Sequence, residues 1–187
     1  MKTMKLMLLL SLCVPGFEAY AQQPALDNNA EANAENLERL QKGGKISPKQ
    51  KAELAKAAKS EGNLQASSDF LLSNSTKQGV VTLPSGVQYK ILKTGAGKRP
   101  TETSAVRCNY VGTLADGTAF DKYQDKSPAA LRVEGFVPGL QQAVKLMPAG
   151  SKWEVVVPPD LGYGEQGKRN VAPNAVLIYV IEILGIV

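Results

Sequence analysis

Between Cys108 and Tyr123 the chain reads CNYVGTLADGTAFDKY, and residue types able to act on a ligand are densest there. A phenol at Tyr110 and a ring and a carboxylate at Phe120 and Asp121 stand on either side of Asp116-Gly117, a pair suited to a tight reversal. Val106, Cys108 and Tyr110 alternate with Arg107, Asn109 and Val111, which gives one apolar strand face carrying the phenol. Gly112 loosens the strand ahead of the turn. A closed hairpin would bring Tyr110, Phe120 and Asp121 to one end of a sheet, as an apolar hollow edged by a hydroxyl and a carboxylate. The plainer alternative is a surface hairpin with a capping Asp.

Composition narrows the chemistry further. The chain has no histidine, which excludes metal sites built on imidazole and also Ser-His or Cys-His catalysis. Of the two cysteines, Cys13 lies in an N-terminal apolar run, so Cys108 is the only one expected in the mature chain and no internal disulfide can form. Its place on the apolar strand face predicts a buried, inert thiol. The formal charge of +5 is modest and its basic residues are scattered, which reads as a solubility feature and not as a nucleic-acid surface. Gly162, Gly164 and Gly167 fit the G-x-G-x-x-G pattern of dinucleotide sites. However, Pro158-Pro159 intervenes after the strand and KRNVAPN is no helix, so the phosphate-binding helix terminus is missing. The glycines are better read as shaping a loop that presents Tyr163.

The 187 residues allow one domain of ordinary size plus an appendage. Residues 1–21 combine Lys2 and Lys5, a short apolar run from Leu6 to Val14 and Ala19-Tyr20-Ala21, the pattern of a cleaved secretory signal. Export of a soluble mature protein to the periplasm or beyond is expected. Leu12 before Cys13 argues against a lipoprotein anchor, and outer-membrane association stays open. Residues 22–79 are expected to form a helical arm. A first helix over Glu31 to Lys42 would end at Gly43-Gly44, with a partly disordered tether as the alternative. A second would start with Ser47 as cap, Pro48 at the first helical position and Gln50 completing a capping box, and run to about Ser73 with a weak point at Gly62. Its apolar residues, Leu54, Ala57, Ala58, Leu64, Phe70, Leu71 and Leu72, are sparse at first and dense at the end. Such a helix either docks on the following domain or pairs with another copy.

From residue 80 to 187 the pattern predicts strands at about 87–92, 105–114, 129–133, 151–157 and 175–184. One helix falls between them, with Pro138 near its start, Leu140, Ala143, Val144 and Met147 on one face, and Pro148-Ala149-Gly150 as its stop. The fold class is α+β, a twisted antiparallel sheet closed over one short helix. Trp153, Val155 and Val157, with Leu177, Tyr179, Ile181 and Ile183, are the expected core stripes.

Five stretches together carry a family resemblance: SGVQYKILKTGAG (85–97), the hairpin Tyr110-x-Gly112-x-Leu114-x-Asp116-Gly117-x-x-Phe120-Asp121, FVPGLQQAVKLMPAGSKWEVVVPP (136–159), LGYGEQG (161–167) and PNAVLIYVIEIL (173–184). In order and spacing they resemble the FKBP-type peptidyl-prolyl isomerases over roughly residues 80–187. The lead-in DFLLSN and GVVTLPSGVQY is similar to the macrophage infectivity potentiator branch of exported bacterial members.

The resemblance implies an FKBP-like sheet preceded by a helical arm, with rotation of Xaa-Pro bonds in proline-containing polypeptides as the activity, without cofactor or metal. It implies a catalytic set of Tyr110, Phe120, Asp121, Val137 and Tyr163, in which the Val137 N–H meets the substrate carbonyl and the Tyr163 hydroxyl binds substrate backbone. Asp121 would either polarise the site or fix Tyr110. Phe136, Leu140, Leu131, Val171 and Tyr179 would line the substrate pocket. Four of these depart from the family pattern. Leu140 replaces the tryptophan floor, Leu131 often a phenylalanine, Phe136 a smaller Val or Leu, and Tyr179 the usual phenylalanine, adding a hydroxyl that needs a partner. A leucine floor loses aromatic contact with the proline ring, so substrates and macrolide inhibitors are both expected to bind more weakly, which bears on the strength of catalysis more than on the fold. A holding chaperone or interaction module on the same fold is the alternative function, and a homodimer through the arm competes with a monomer.

Overall fold

The computed structural model describes residues 34–36, 38–39 and 47–187. The expected signal and most of the expected first helix, including its Gly43-Gly44 stop, lie outside these residues. The chain divides into two units, Met1–Gln50 and Lys51–Val187. In the first, residues 34–36 and 38–39 are helical and Gln50 Nε2 donates to Asn36 Oδ1 at 3.2 Å. The capping box forms as its residue types require: the Ser47 N–H donates to Gln50 Oε1 at 2.9 Å, and the Gln50 N–H donates to Ser47 Oγ at 3.2 Å. The helix it opens, α1 (Pro48–Ser75), passes through Gly62 unbroken and ends two residues beyond the expected Ser73.

The second unit is built on one seven-stranded antiparallel sheet. Its strands are β1 (Val80–Thr82), β2 (Gln88–Lys93), β3 (Ala105–Thr113), β4 (Ala119–Tyr123), β5 (Ala130–Arg132), β6 (Lys152–Val157) and β7 (Leu177–Ile186). The order is β1-β2-β6-β7-β3-β4, with β5 also paired to β3. One edge of β3 pairs along its length with β7. The other is shared, with β5 opposite Ala105–Arg107 and β4 opposite Tyr110–Thr113. Two of these strands are missing from the strands the hydrophobic pattern predicts: β1, and β4, which is expected only as the far side of the Asp116-Gly117 hairpin.

Against one face lies α2 (Pro138–Leu146), begun by proline and followed by Met147 and the Pro148-Ala149-Gly150 stop. Leu140, Ala143, Val144 and Met147 are buried on it, and meet the alternating Trp153, Val155, Val157, Leu177, Tyr179, Ile181 and Ile183 in a single core. At about 25 cal/mol per Å² of apolar surface, interlocking stripes of this kind are the main term holding sheet and helix together. Two residues out of phase with the stripe, Val156 and Val176, are buried as well. Their neighbours Gln88 and Ser67 carry the hydrogen bonds that attach α1.

That attachment adds a polar stripe to the expected apolar residues, of which Leu54, Ala57, Phe70 and Leu71 are half-buried. Ser60, Asn63, Ser67 and Asn74 recur at helical spacing on the inward side of α1, while Leu64 and Leu72 face solvent. Ser67 Oγ donates to the Asn174 carbonyl at 2.7 Å and accepts from the Val176 N–H at 2.9 Å. Asn63 Nδ2 donates to the Pro173 carbonyl at 2.9 Å, and Asn74 Nδ2 to Gln88 Oε1 at 2.8 Å. The physical reason is the segment being covered. Asn174 has a φ of 56°, and the irregular backbone around it has no strand partner, so its polar groups need side chains to satisfy them.

Candidate functional site

The hairpin sets the site. The Leu114 N–H donates to the Thr118 carbonyl and the Gly117 N–H to the Leu114 carbonyl, both at 2.9 Å. Gly117 takes a φ of 84°, which a side chain would resist. The Thr118 N–H bonds Asp116 Oδ1 at 2.8 Å, and this bond holds the carboxyl below its ordinary range.

Beyond the turn, Thr113 pairs with Ala119 and Gly112 with Asp121, so Phe120 is an extra residue in β4. In a regular strand Phe120 and Asp121 would face opposite ways; a bulge removes that constraint. Phe120 accordingly stacks edge-on against Tyr163 and Tyr179, while Asp121 Oδ2 accepts a hydrogen bond from the Tyr110 hydroxyl at 3.1 Å. Gly112 has a sharper purpose than loosening a strand: a Cβ there would sit 2.7 Å from Phe120 Cζ. The ring lies across the glycine.

Five aromatic rings form an arc. Phe136 meets Tyr110 at 6.3 Å between centroids, Tyr110 meets Tyr179 at 6.2 Å, Tyr179 meets Phe120 at 5.5 Å, and Phe120 meets Tyr163 at 6.3 Å, with interplanar angles from 65° to 90°. These are favoured edge-to-face geometries. Tyr179, sent inward by the alternation of β7, is the ring that joins the two branches. Its phenol is pushed well up from its ordinary value by burial first, and then by Tyr163. Tyr163 also acts on it through a side-chain hydrogen bond. Tyr110 is also pushed up, by burial first and then by the Asp121 charge, so it stays protonated and keeps donating.

Other elements close the rim. Val137 caps the N-terminus of α2. Its carbonyl accepts the Gln141 N–H at 3.0 Å, but its own N–H donates to no acceptor among the described residues. Gln141 Nε2 donates to the carbonyls of Phe136 at 2.7 Å and Glu134 at 3.1 Å, which pins the segment entering the helix. Nothing in the sequence marks Gln141 for this beyond its being a polar residue four places after Val137. Leu140, 1% exposed, is packed into the core beneath, and Val171 is nearly as buried at 4%. Leu131 packs on the same core but lies furthest along β3, paired with Val106, four positions before Tyr110.

The loop carrying Tyr163 consists of two short 3-10 turns, Pro159–Leu161 and Gly164–Gln166, closed by paired backbone bonds between Lys168 and Val171 at 2.9 and 2.8 Å. No α-helix follows the glycines, so the dinucleotide geometry does not arise. Lys168 Nζ, a group the sequence reading does not single out, lies 5.0 Å above the Tyr163 ring and 3.5 Å from its hydroxyl. No carboxylate pair or nucleophile-base pair stands in this arc. What it offers is an apolar wall, one unengaged N–H and hydroxyls at the rim.

Residues 97–184 match the family model for FKBP-type peptidyl-prolyl cis-trans isomerases, and residues 2–91 match the domain amino terminal to them. The chain is 43% identical over 130 residues to the outer membrane protein MIP of Legionella longbeachae, covering 68% of this chain and 56% of that protein. It is 40% identical over 125 residues to the FKBP-type peptidyl-prolyl cis-trans isomerase FkpA of Aeromonas hydrophila, covering 66% and 47%. The chain thus spans about half the length of the curated relatives it matches. A solved peptidyl-prolyl cis-trans isomerase from Pseudomonas syringae superposes with a TM-score of 0.64 at 30% identity, over 76% of this chain and 98% of that one. Matched in sequence on both sides of residue 91 and in fold over its sheet, the chain belongs to the FKBP-type peptidyl-prolyl isomerase family, in the Mip-like branch.

Proposed function

We propose that this protein catalyses cis-trans rotation of Xaa-Pro bonds in exported, unfolded or flexible polypeptides, and so assists their folding. The observation that carries this reading is the aromatic arc closing around a helix N-terminus whose Val137 N–H is unengaged. Rotation faces a barrier of about 18–20 kcal/mol because amide resonance must be lost, and unaided it takes tens to hundreds of seconds. A twisted amide has less charge separation than a planar one, so an apolar, water-poor pocket stabilises it preferentially. A rate gain of about 10⁶ requires roughly 8 kcal/mol of such preference.

In this reading Phe120, Tyr179, Phe136, Val171 and Leu140 wall and floor the proline pocket, with Leu131 at its outer edge. The Val137 N–H and the Tyr163 hydroxyl hold the peptide, and Tyr110, fixed by Asp121, completes the rim. A leucine floor gives weaker grip on macrolide inhibitors than an aromatic one. The leader pattern of residues 1–21 supports a periplasmic or secreted location, and a relative named as an outer membrane protein supports that compartment. Exposed Leu64 and Leu72 on α1 support self-association through residues 22–79 as the arm's role.

A proline-peptide isomerisation assay on the full chain tests the proposal. Turnover that is lost with Tyr163→Phe combined with Phe120→Ala supports it. Absence of turnover in the unaltered protein, together with protection of an unfolding client that survives both changes, would replace it with a holding chaperone.

A further inference from the structure

Beside the aromatic arc lies a groove of about 450 Å³ between α1 and the Tyr163 loop. Lys56 and Lys59 line it from the helix, and Gln166, Lys168 and Arg169 from the loop, while no carboxylate lines it. The four cations are exposed, and none enters an ion pair among the described residues, whose ion pairs are Lys93 with Glu182, Arg132 with Glu134 and Lys145 with Glu102. Like charges gathered without counter-charges repel one another and produce a local positive potential. Groove and arc are contiguous, because Lys168 lines the first and its ammonium lies over the ring of Tyr163 in the second.

We propose that this groove is an extended subsite for acidic segments of the prolyl substrate, so that the enzyme prefers prolines flanked by glutamate or aspartate. The inference rests on the isomerase reading above and adds a substrate class to it. A client chain leaving the pocket past Tyr163 meets Lys168 first and then the Arg169, Lys56 and Lys59 charges. Each such contact is exposed and weak singly; four of one sign act together, raising encounter rate and residence with a steep dependence on salt. The rest of its lining, Gln166 and the residues from Asn170 to Pro173, is uncharged.

The test uses three peptides with one proline core, flanked on both sides by short runs of glutamate, glutamine or lysine. With the full chain at low salt, kcat/KM for the glutamate peptide should exceed that for the glutamine peptide by about tenfold, and the gap should close as salt shortens the screening length. Lys56→Glu/Lys59→Glu/Arg169→Glu should reverse the order of the charged peptides while leaving the glutamine peptide unchanged. If that variant does not fold, Lys56→Gln/Lys59→Gln/Arg169→Gln should bring the glutamate peptide down to the glutamine level. Equal kcat/KM for all three peptides, or a preference that survives neutralisation, overturns the proposal. If no peptide is turned over, the isomerase reading falls by itself. Fluorescence anisotropy then decides the groove: tighter, salt-sensitive binding of the glutamate peptide supports it, and equal binding of glutamate and glutamine peptides overturns it.

Discussion

Adding one methyl group at Gly112 should damage the site far more than the fold. An alanine Cβ would lie 2.7 Å from Phe120 Cζ and 3.1 Å from both Cε atoms. Carbon pairs rest comfortably at about 3.5–4.0 Å, so the ring must withdraw by about 1 Å. Phe120 packs against Tyr179 at 5.5 Å and Tyr163 at 6.3 Å, so its displacement opens the arc between those two rings. Overpacking costs roughly 1–3 kcal/mol, but alanine is better suited than glycine to a strand by about 0.5–1 kcal/mol, which leaves a net loss of only about 0–2.5 kcal/mol. A misplacement of about 1 Å at a reacting centre costs on the order of 10²-fold in rate. Gly112→Ala should therefore lower kcat/KM for a proline peptide by about 100-fold while moving the urea midpoint slightly. In a Phe120→Ala background the same change should do little, since nothing remains to collide with. A Gly112→Ala protein with both kcat/KM and urea midpoint unaltered would refute the argument.

Further outcomes follow from single contacts. Tyr110→Phe removes the 3.1 Å bond to Asp121 and leaves a half-buried carboxylate short of a donor; about 1–2 kcal/mol of stability and a several-fold loss of turnover are expected, measurable by urea titration and peptide assay. Ser67→Ala strips the partner from the Asn174 carbonyl and the Val176 N–H together, so a loss of about 2–4 kcal/mol and faster hydrogen exchange at Val176 should appear. Retained protection there would count against the bond. Burial pushes the Cys108 thiol up from its ordinary 9.0 to about 11. The folded state then keeps a proton that the unfolded chain gives up, so stability holds below about pH 9 and falls as pH rises towards 11. Tyr110 and Tyr179, pushed the same way, steepen the fall at higher pH. Urea midpoints followed from about pH 7 to about pH 10.5 should decline less in Cys108→Ala than in the unaltered chain; identical declines would acquit the thiol.

Local chemistry was legible in the sequence and pairing geometry was not. Asp116-Gly117 announces its turn because a φ of 84° at Gly117 is a property of one residue. Pro138 and the spacing of Leu140, Ala143, Val144 and Met147 announce α2 for the same reason. The bulge at Phe120 depends on how β4 registers against β3, and a period-two reading places Phe120 and Asp121 on opposite faces. Tyr179 can be assigned to the inward side of β7, but its position as the ring joining Tyr110 to Phe120 arises only when three strands lie side by side. The stripe on α1 escapes a search for apolar periodicity because Ser60, Asn63, Ser67 and Asn74 dock through hydrogen bonds. Gln141 escapes because its work is done on carbonyls that no side-chain pattern reveals.

The bonds from α1 to Pro173 and Asn174 reach further than the helix. The Asn174 N–H donates to the Gly164 carbonyl at 2.9 Å, one residue from Tyr163, so α1 splints the root of the Tyr163 loop. A chain trimmed to begin at the first strand would keep every pocket side chain and still lose the brace behind one of them. Its slack would then be felt as poor catalysis, a mechanical fault easily mistaken for missing chemistry.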